Sequence, residues 1–250
     1  KGRGLRVGTI PAATPRLTIE AVRALQQAGL DQLALSLDFS TAEDYDRFRG
    51  VAGAFAKVME AVEWAHQVGL PLQINTVLSE KNFHALDCLV ELVQRLGIVF
   101  WEVFFLVPVG RGVRLDGLTA VQYEMAFAVL QKASRQASFV VKVTEGMHYR
   151  RYLAQHRAEA ASPPQWGERG PGGSIGISVQ TVNAGKGHVF ISSTGEVCPS
   201  GFLPVSVGNI RRTPLAQLYR EAPLMQELRD PNRLKGRCGR CEFRMICGGS

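Results

Sequence analysis

The stretch 53–78, GAFAKVMEAVEWAHQVGLPLQINTVL, holds one complete helix-to-strand unit. Phe55, Val58, Met59 and Val62 recur at i, i+3, i+4 and i+7, the period of one helix face. Gly69 follows the last apolar residue as a C-terminal cap, and residues 72–78 then read as a strand. The same alternation repeats on both sides. Strands are expected at 5–10, 33–38, 72–78, 99–107 and 138–144. Between them lie helical patterns carried by Ile19, Val22 and Leu25, and by Phe83, Leu86, Leu89, Val90 and Val93. Thr18, Asn82 and Thr119 stand where N-caps belong, while Gly29 and Gly97 close helices as Gly69 does. Four helices between five strands are predicted, which is the rhythm of βα units with parallel strands.

Short connections in strict alternation leave a doubly wound sheet or a barrel. A dinucleotide fold needs a Gly-rich first turn, and the turn here is Pro11-Ala12-Ala13-Thr14-Pro15, which disfavours it. A barrel places polar side chains at the C-terminal ends of its strands, over the site. Thr9, Ser36, Asp38, Asn75 and Thr76 occupy such positions. A plainer reading of Ser36 and Asp38 is a helix-capping turn ahead of Ser40 and Thr41.

The composition is that of a folded globular chain: 250 residues, 46% hydrophobic and 20% charged. No apolar run approaches the roughly 20 residues of a membrane span. Residues 1–20 show no secretory signal, and the expected location is cytoplasmic. A net charge of +7 could mark a nucleic-acid surface, but the basic residues are scattered. Their densest group, Arg233, Lys235, Arg237, Arg240 and Arg244, is interleaved with cysteines, so no nucleic-acid or membrane partner is expected. The rhythm breaks over 145–175, with Ser162-Pro163-Pro164 and Gly170-Pro171-Gly172-Gly173. Strands at 176–179 and 188–192, a turn at Ser193-Thr194-Gly195 into Glu196-Val197-Cys198, and a helix from Pro214 interrupted at Pro223 follow. The expected division is 1–146 for the barrel, 147–175 for a linker or lid, and 176–250 for a small cysteine-rich α+β domain.

The strongest chemical signal is Cys238-Gly239-Arg240-Cys241 followed by Cys247, with Cys198 upstream. A C-x2-C turn places two thiolates on one metal centre, and two more close either a zinc site or an iron–sulfur cluster. Spacing alone leaves both open. Cys88 lies within an amphipathic pattern and is expected to be packed in the core.

Taken in order, these pieces resemble the radical S-adenosylmethionine enzymes with a C-terminal SPASM or twitch domain. The resemblance rests on Leu33-Ala34-Leu35-Ser36-Leu37-Asp38, Tyr45-Asp46-Arg47-Phe48-Arg49-Gly50, Gln73-Ile74-Asn75-Thr76-Val77-Leu78 and Leu106-Val107-Pro108-Val109-Gly110. It continues through Gly195-Glu196-Val197-Cys198-Pro199-Ser200, Gly208-Asn209-Ile210 and Cys238-x2-Cys241-x5-Cys247-Gly248-Gly249. It implies an α/β partial (β/α) barrel with a cysteine-rich appendage. By resemblance Ser36 would contact the ribose of S-adenosylmethionine with Asp38 beside it, Arg49 its carboxylate, and Asn75 its methionine end, while Leu106 or Val107 would pack near the adenine. Cys198, Cys238, Cys241 and Cys247 would hold an auxiliary [4Fe-4S] cluster.

The family's Cys-x3-Cys-x2-Cys motif, which holds the catalytic [4Fe-4S] cluster, is absent from this sequence, and no catalytic residue is assigned. The chain is expected to be a fragment beginning at the third βα unit, with 1–250 by itself inactive in the radical reaction. The intact protein is expected to be an oxidoreductase or maturase. It would act on a peptide or tetrapyrrole, with an external electron donor such as flavodoxin or ferredoxin. Two rival readings stand beside this. One is a non-catalytic zinc-ribbon module, with zinc at 198–247, binding nucleic acid or protein. The other is a metal-free barrel enzyme using Asp38, Glu102 or Glu145, with His148 and His188 solvated or structural.

Overall fold

A computed structural model of the chain describes residues 3–156, 171–175 and 182–249. They fall into two compact units. The first runs to Glu145 and includes 171–175; the second takes 146–156 and 182–249.

The first unit follows the alternating order β1 (Gly8–Thr9), α1 (Ile19–Gln27), β2 (Gln32–Ser36), α2 (Ala42–Arg49), α3 (Ala54–Gln67) and β3 (Leu72–Leu78). It continues with α4 (Glu80–Phe83), α5 (Leu86–Arg95), β4 (Phe100–Phe105), α6 (Ala120–Gln136) and β5 (Val140–Thr144). All five strands are parallel and adjacent in chain order. Parallel strands alternate their side chains between two faces, so each strand must satisfy two environments. One face carries Leu33, Leu35, Ile74, Leu78, Trp101, Val103 and Phe105, all buried. It is the helix-covered face, since Phe105 stacks on Tyr123 and packs edge-on against Phe127 of α6. The opposite, inner face carries Gln32, Ser36, Gln73, Asn75, Glu102, Lys142 and Thr144.

Several expectations are revised by this arrangement. The strand expected at 5–10 is only Gly8–Thr9, an edge strand paired with β2 alone, and Leu5, Val7 and Ile10 stay exposed. The helix α2 adds to the predicted four because its sequence, AEDYDRFR, buries only Tyr45 and shows no apolar stripe. It is set instead by Thr41 at the N-cap, whose hydroxyl accepts from Asp44 N, and by Gly50 at positive φ. Asn82 is not an N-cap: it sits inside α4, its Oδ1 accepting from Ser79 N at 2.8 Å. Its Nδ2 donates to Asp38 O and Val77 O at 2.9 and 2.8 Å. Thr76 points to the helix face rather than over a site. It accepts from Trp101 Nε1 at 3.0 Å and donates to Leu37 O at 2.7 Å. Cys88 is exposed, because the buried stripe of α5 is Leu86, Leu89 and Val93 and position 88 lies off it.

The second unit opens with α7 (Tyr149–Gln155), which occupies part of the segment expected to be a linker. Then come β6 (Asn183–Ala184) paired with β7 (Gly187–His188), and an antiparallel sheet of β8 (Phe190–Ile191), β9 (Glu196–Cys198) and β10 (Gly208–Asn209). The strand expected at 188–192 is thus split at Val189, and the one expected at 176–179 lies outside the described residues. The helices α8 (Leu215–Glu221) and α9 (Pro223–Arg229) meet at Ala222, where Pro223 starts the second. Val197 packs with Leu218 and Met225 in the core of this unit. Gly208 is required there, since it has φ 139° and a Cβ would lie 2.6 Å from a Leu218 methyl. Two short helices close the chain, α10 (Gly236–Gly239) and α11 (Arg244–Cys247). No helix among the described residues is long and apolar enough to cross a membrane.

Replacing Thr76 by Val keeps shape but leaves the buried Trp101 indole N–H without its acceptor. A loss of about 1–3 kcal/mol of stability is expected. It is checked by the urea unfolding midpoint at constant slope.

Candidate functional site

On the inner face of the first unit, strand register aligns Ser36 with Asn75, Asn75 with Glu102, and Glu102 with Lys142. Registered positions in a parallel sheet share a face, so these four form one polar row across β2 to β5. Gln73 Nε2 donates to Asn75 Oδ1 at 2.5 Å and to Glu102 Oε2 at 3.0 Å. Glu102 Oε1 accepts from Lys142 Nζ at 2.8 Å and from Thr144 Oγ1 at 2.7 Å. Ser36 Oγ and Asn75 Nδ2 have no partner described.

Beyond the row, at the end of β2, Asp38 is 2% exposed, and its Oδ2 lies 2.7 Å from Arg49 Nη2. Its Oδ1 accepts from Val77 N at 2.8 Å, and its own carbonyl from Asn82. Burial pushes the Asp38 carboxyl above its ordinary range, opposed by Arg49 and by the Val77 N–H. Arg49 remains 35% exposed and lies over the Tyr45 ring, 5.1 Å from its centre. The Tyr45 hydroxyl donates to Ser36 O at 2.7 Å. A guanidinium carries five donors, so pairing with Asp38 leaves Arg49 donors for an anion. Asp38 is therefore a locked anchor rather than a helix cap. The residue capping α2 is Thr41.

Ser36, Asn75 and the Asp38–Arg49 pair come together at one end of the sheet, as a polar nucleoside with a carboxylate requires. Open hydroxyl and amide donors beside a half-exposed guanidinium fit S-adenosylmethionine. Sequence reasoning passed over Gln32, Gln73 and Lys142, although polar residues at the same parity as Ser36 and Asn75 in apolar strands signal an inner face.

In the second unit, Cys198 is buried on the face of β9 opposite Val197. Cys238 lies in α10, and Cys247 ends α11. Cys241 N donates to Cys238 O at 3.2 Å, forming the turn of the C-x2-C pair. Gly239 is needed there, because a Cβ would lie 2.4 Å from Leu234 O. All four thiols are free. Among the described residues no three Cys, His, Asp or Glu side chains lie in an arrangement that holds a single metal ion.

What gathers the segments is their backbone. Asn183 Nδ2 donates to Cys247 O at 3.1 Å and Gly249 O at 3.0 Å, and Gly185 N donates to Pro199 O at 3.0 Å. Arg150 Nη1 donates to Asn183 Oδ1 at 2.9 Å and Cys247 O at 3.3 Å, and Nη2 donates to Val182 O at 3.1 Å. Burial lowers the Arg150 pKa. A thiol-only donor set on segments tied in this way fits an iron–sulfur cluster.

Glu145 closes the first unit with φ 60°, and it is the only non-glycine residue at positive φ among those described. Burial raises its carboxyl pKa.

Comparisons with known proteins agree with both halves. A family model described as an iron–sulfur cluster-binding SPASM domain matches residues 183–242. The AdoMet-dependent heme synthase of Methanosarcina barkeri is 36% identical over 255 residues, covering 98% of this chain and 69% of that protein. The AdoMet-dependent heme synthase of Nitratidesulfovibrio vulgaris is 32% identical, covering 99% of this chain and 66% of that protein. The crystal structure of Streptococcus suis SuiB bound to S-adenosylmethionine superposes with a TM-score of 0.70 at 16% identity, covering 98% of this chain and 55% of that one. The chain thus spans about two thirds of the length of the two heme synthases.

A glutamate held at φ 60° costs of order 1 kcal/mol, and Glu145→Gly is expected to recover about that much stability. Glu145→Gln is also expected to stabilise at pH above the raised native pKa, where burial penalises the charged carboxylate. That gain should shrink as pH falls below the raised native pKa and be gone below the ordinary carboxylate pKa of the unfolded chain, where the side chain is neutral in both states. Thermal unfolding between acid and neutral pH checks both.

Proposed function

Because the chain belongs to the radical S-adenosylmethionine enzymes that carry a C-terminal SPASM domain, we propose that the intact protein is an oxidoreductase or maturase acting on a tetrapyrrole. The observation that carries this is the 36% identity to a heme synthase along 98% of the chain. A reduced [4Fe-4S] cluster and S-adenosylmethionine, when bound, supply hydrogen abstraction by a 5′-deoxyadenosyl radical.

Residues 1–250 contain no Cys-x3-Cys-x2-Cys, so the roles proposed for this stretch are binding and positioning. Ser36 donates to the ribose, Arg49 binds the carboxylate, and Asn75 donates near the methionine end. Asp38 holds Arg49 in place. A planar guanidinium suits a carboxylate because two parallel N–H bonds match its two oxygens. Cys198, Cys238, Cys241 and Cys247 hold the auxiliary cluster. An external one-electron donor of the flavodoxin or ferredoxin type completes the system. A ligand set of free thiols is kept in a reducing compartment, and the location proposed is the cytoplasm.

The test uses the full-length protein purified without oxygen. Cys238→Ala is expected to lower iron and sulfide by one cluster's content while S-adenosylmethionine still binds. Ser36→Ala and Arg49→Ala are each expected to weaken cofactor binding by about tenfold, the scale of one hydrogen bond to a charged or buried group. Unchanged affinity in both variants, or 5′-deoxyadenosine formed with peptides but not with tetrapyrroles, contradicts the proposal.

A further inference from the structure

A relay of side-chain amides crosses the inner face of the first unit, and the polarity of both its ends is fixed. At one end the Ile175 backbone N–H, which can only donate, bonds Gln32 Oε1 at 2.8 Å. Gln32 must therefore turn its Nε2 to Gln73, and it donates to Gln73 Oε1. At the other end Glu102, bonded by Lys142 and Thr144 through Oε1, presents Oε2 to Gln73 Nε2 at 3.0 Å. A carboxylate paired with a lysine accepts only. The orientation of a side-chain amide is inferred from its bonding network, and here both ends demand the same one: oxygen to Gln32, nitrogen to Glu102.

The consequence falls on Asn75. The same Gln73 Nε2 lies 2.5 Å from Asn75 Oδ1, so Asn75 spends its oxygen inward and turns Nδ2 away. Asn75 is 7% exposed. Among the described residues the fully sealed side-chain atom without a partner is Ser174 Oγ, so Asn75 Nδ2 is not completely closed off. We propose that Gln73, held between Gln32 and Glu102, is a positioning residue that sets Asn75 as a hydrogen-bond donor, so that the site accepts an acceptor atom of S-adenosylmethionine at that point. The proposal rests on assigning Asn75 to the cofactor.

The test exchanges the two groups that set polarity. Gln73→Glu combined with Glu102→Gln conserves charge and atom count and keeps an oxygen for Gln32. It also places an acceptor where Asn75 needs a donor, so Asn75 must flip. Titration of the full-length enzyme with S-adenosylmethionine, without oxygen, is expected to show about a tenfold loss of affinity, the scale of one buried hydrogen bond. The swap made on an Asn75→Ala background should add no further loss, whereas a merely structural role would add its own. Where the swap lowers the unfolding temperature substantially, Gln73→Met decides, with about a threefold loss expected from an untethered Asn75. Swap or Gln73→Met affinities within twofold of wild type overturn the proposal if Asn75→Ala still weakens binding. If Asn75→Ala itself leaves affinity unchanged, the assignment of Asn75 to the cofactor falls first, and the relay's role falls with it.

Discussion

Parallel strands in register impose a two-residue period, and everything about the first unit depends on it. Leucines, Ile74 and the aromatic residues of β4 fill the helix-covered face, and Trp101 and Phe105 are almost wholly buried there. Burying that face at roughly 25 cal/mol per Å² of apolar area supplies the driving force. Alternation then leaves the remaining positions to the inner face, where Ser36, Asn75, Glu102 and Lys142 line up without any further instruction. The core and the site are two outcomes of one pleat.

A polar row inside a barrel is stable only when its members satisfy one another. Gln32, Gln73, Glu102, Lys142 and Thr144 do so laterally, from strand to strand. Asp38 is held longitudinally, by Val77 N, by Arg49 and through Asn82. Such networks hold side chains in one orientation, which is what a small polar cofactor needs. The second unit uses backbone anchoring to the same end: Arg150 and Asn183 tie the carbonyl of Cys247 to the start of β6. Gly248 permits this, since a Cβ there would lie 2.6 Å from Asn183 Nδ2.

Much of this was legible in the chain. The helix period around Phe55 and Val58, the cap at Thr18 and the glycines Gly29, Gly69 and Gly97 marked the βα order. Ser36 and Asn75 stood at the C-terminal ends of their strands, where a barrel carries its site. The C-x2-C pair marked a metal-binding region. What escaped is equally specific. The helix α2 has too little apolar surface to show a stripe, and Cys88 sits one position off the stripe it was assigned to. Thr76 lies at the C-terminal end of its strand as Asn75 does, yet adjacent residues on a strand face opposite ways and Thr76 turns to the helices.

The sequence by itself determined the class of fold, the order of strands and helices, and the residue types available for cofactor and cluster, because those follow from periodicities of two and 3.6 residues and from side-chain chemistry. Tertiary structure alone decided that Arg49 answers to Asp38 and that Arg150 answers to Cys247. It alone decided that an amide at 73 orients the one at 75 between partners 41 and 29 residues away. Local patterns cannot carry such pairings. They arise only when strand register and loop closure bring distant residues within about 3 Å, the reach of a hydrogen bond.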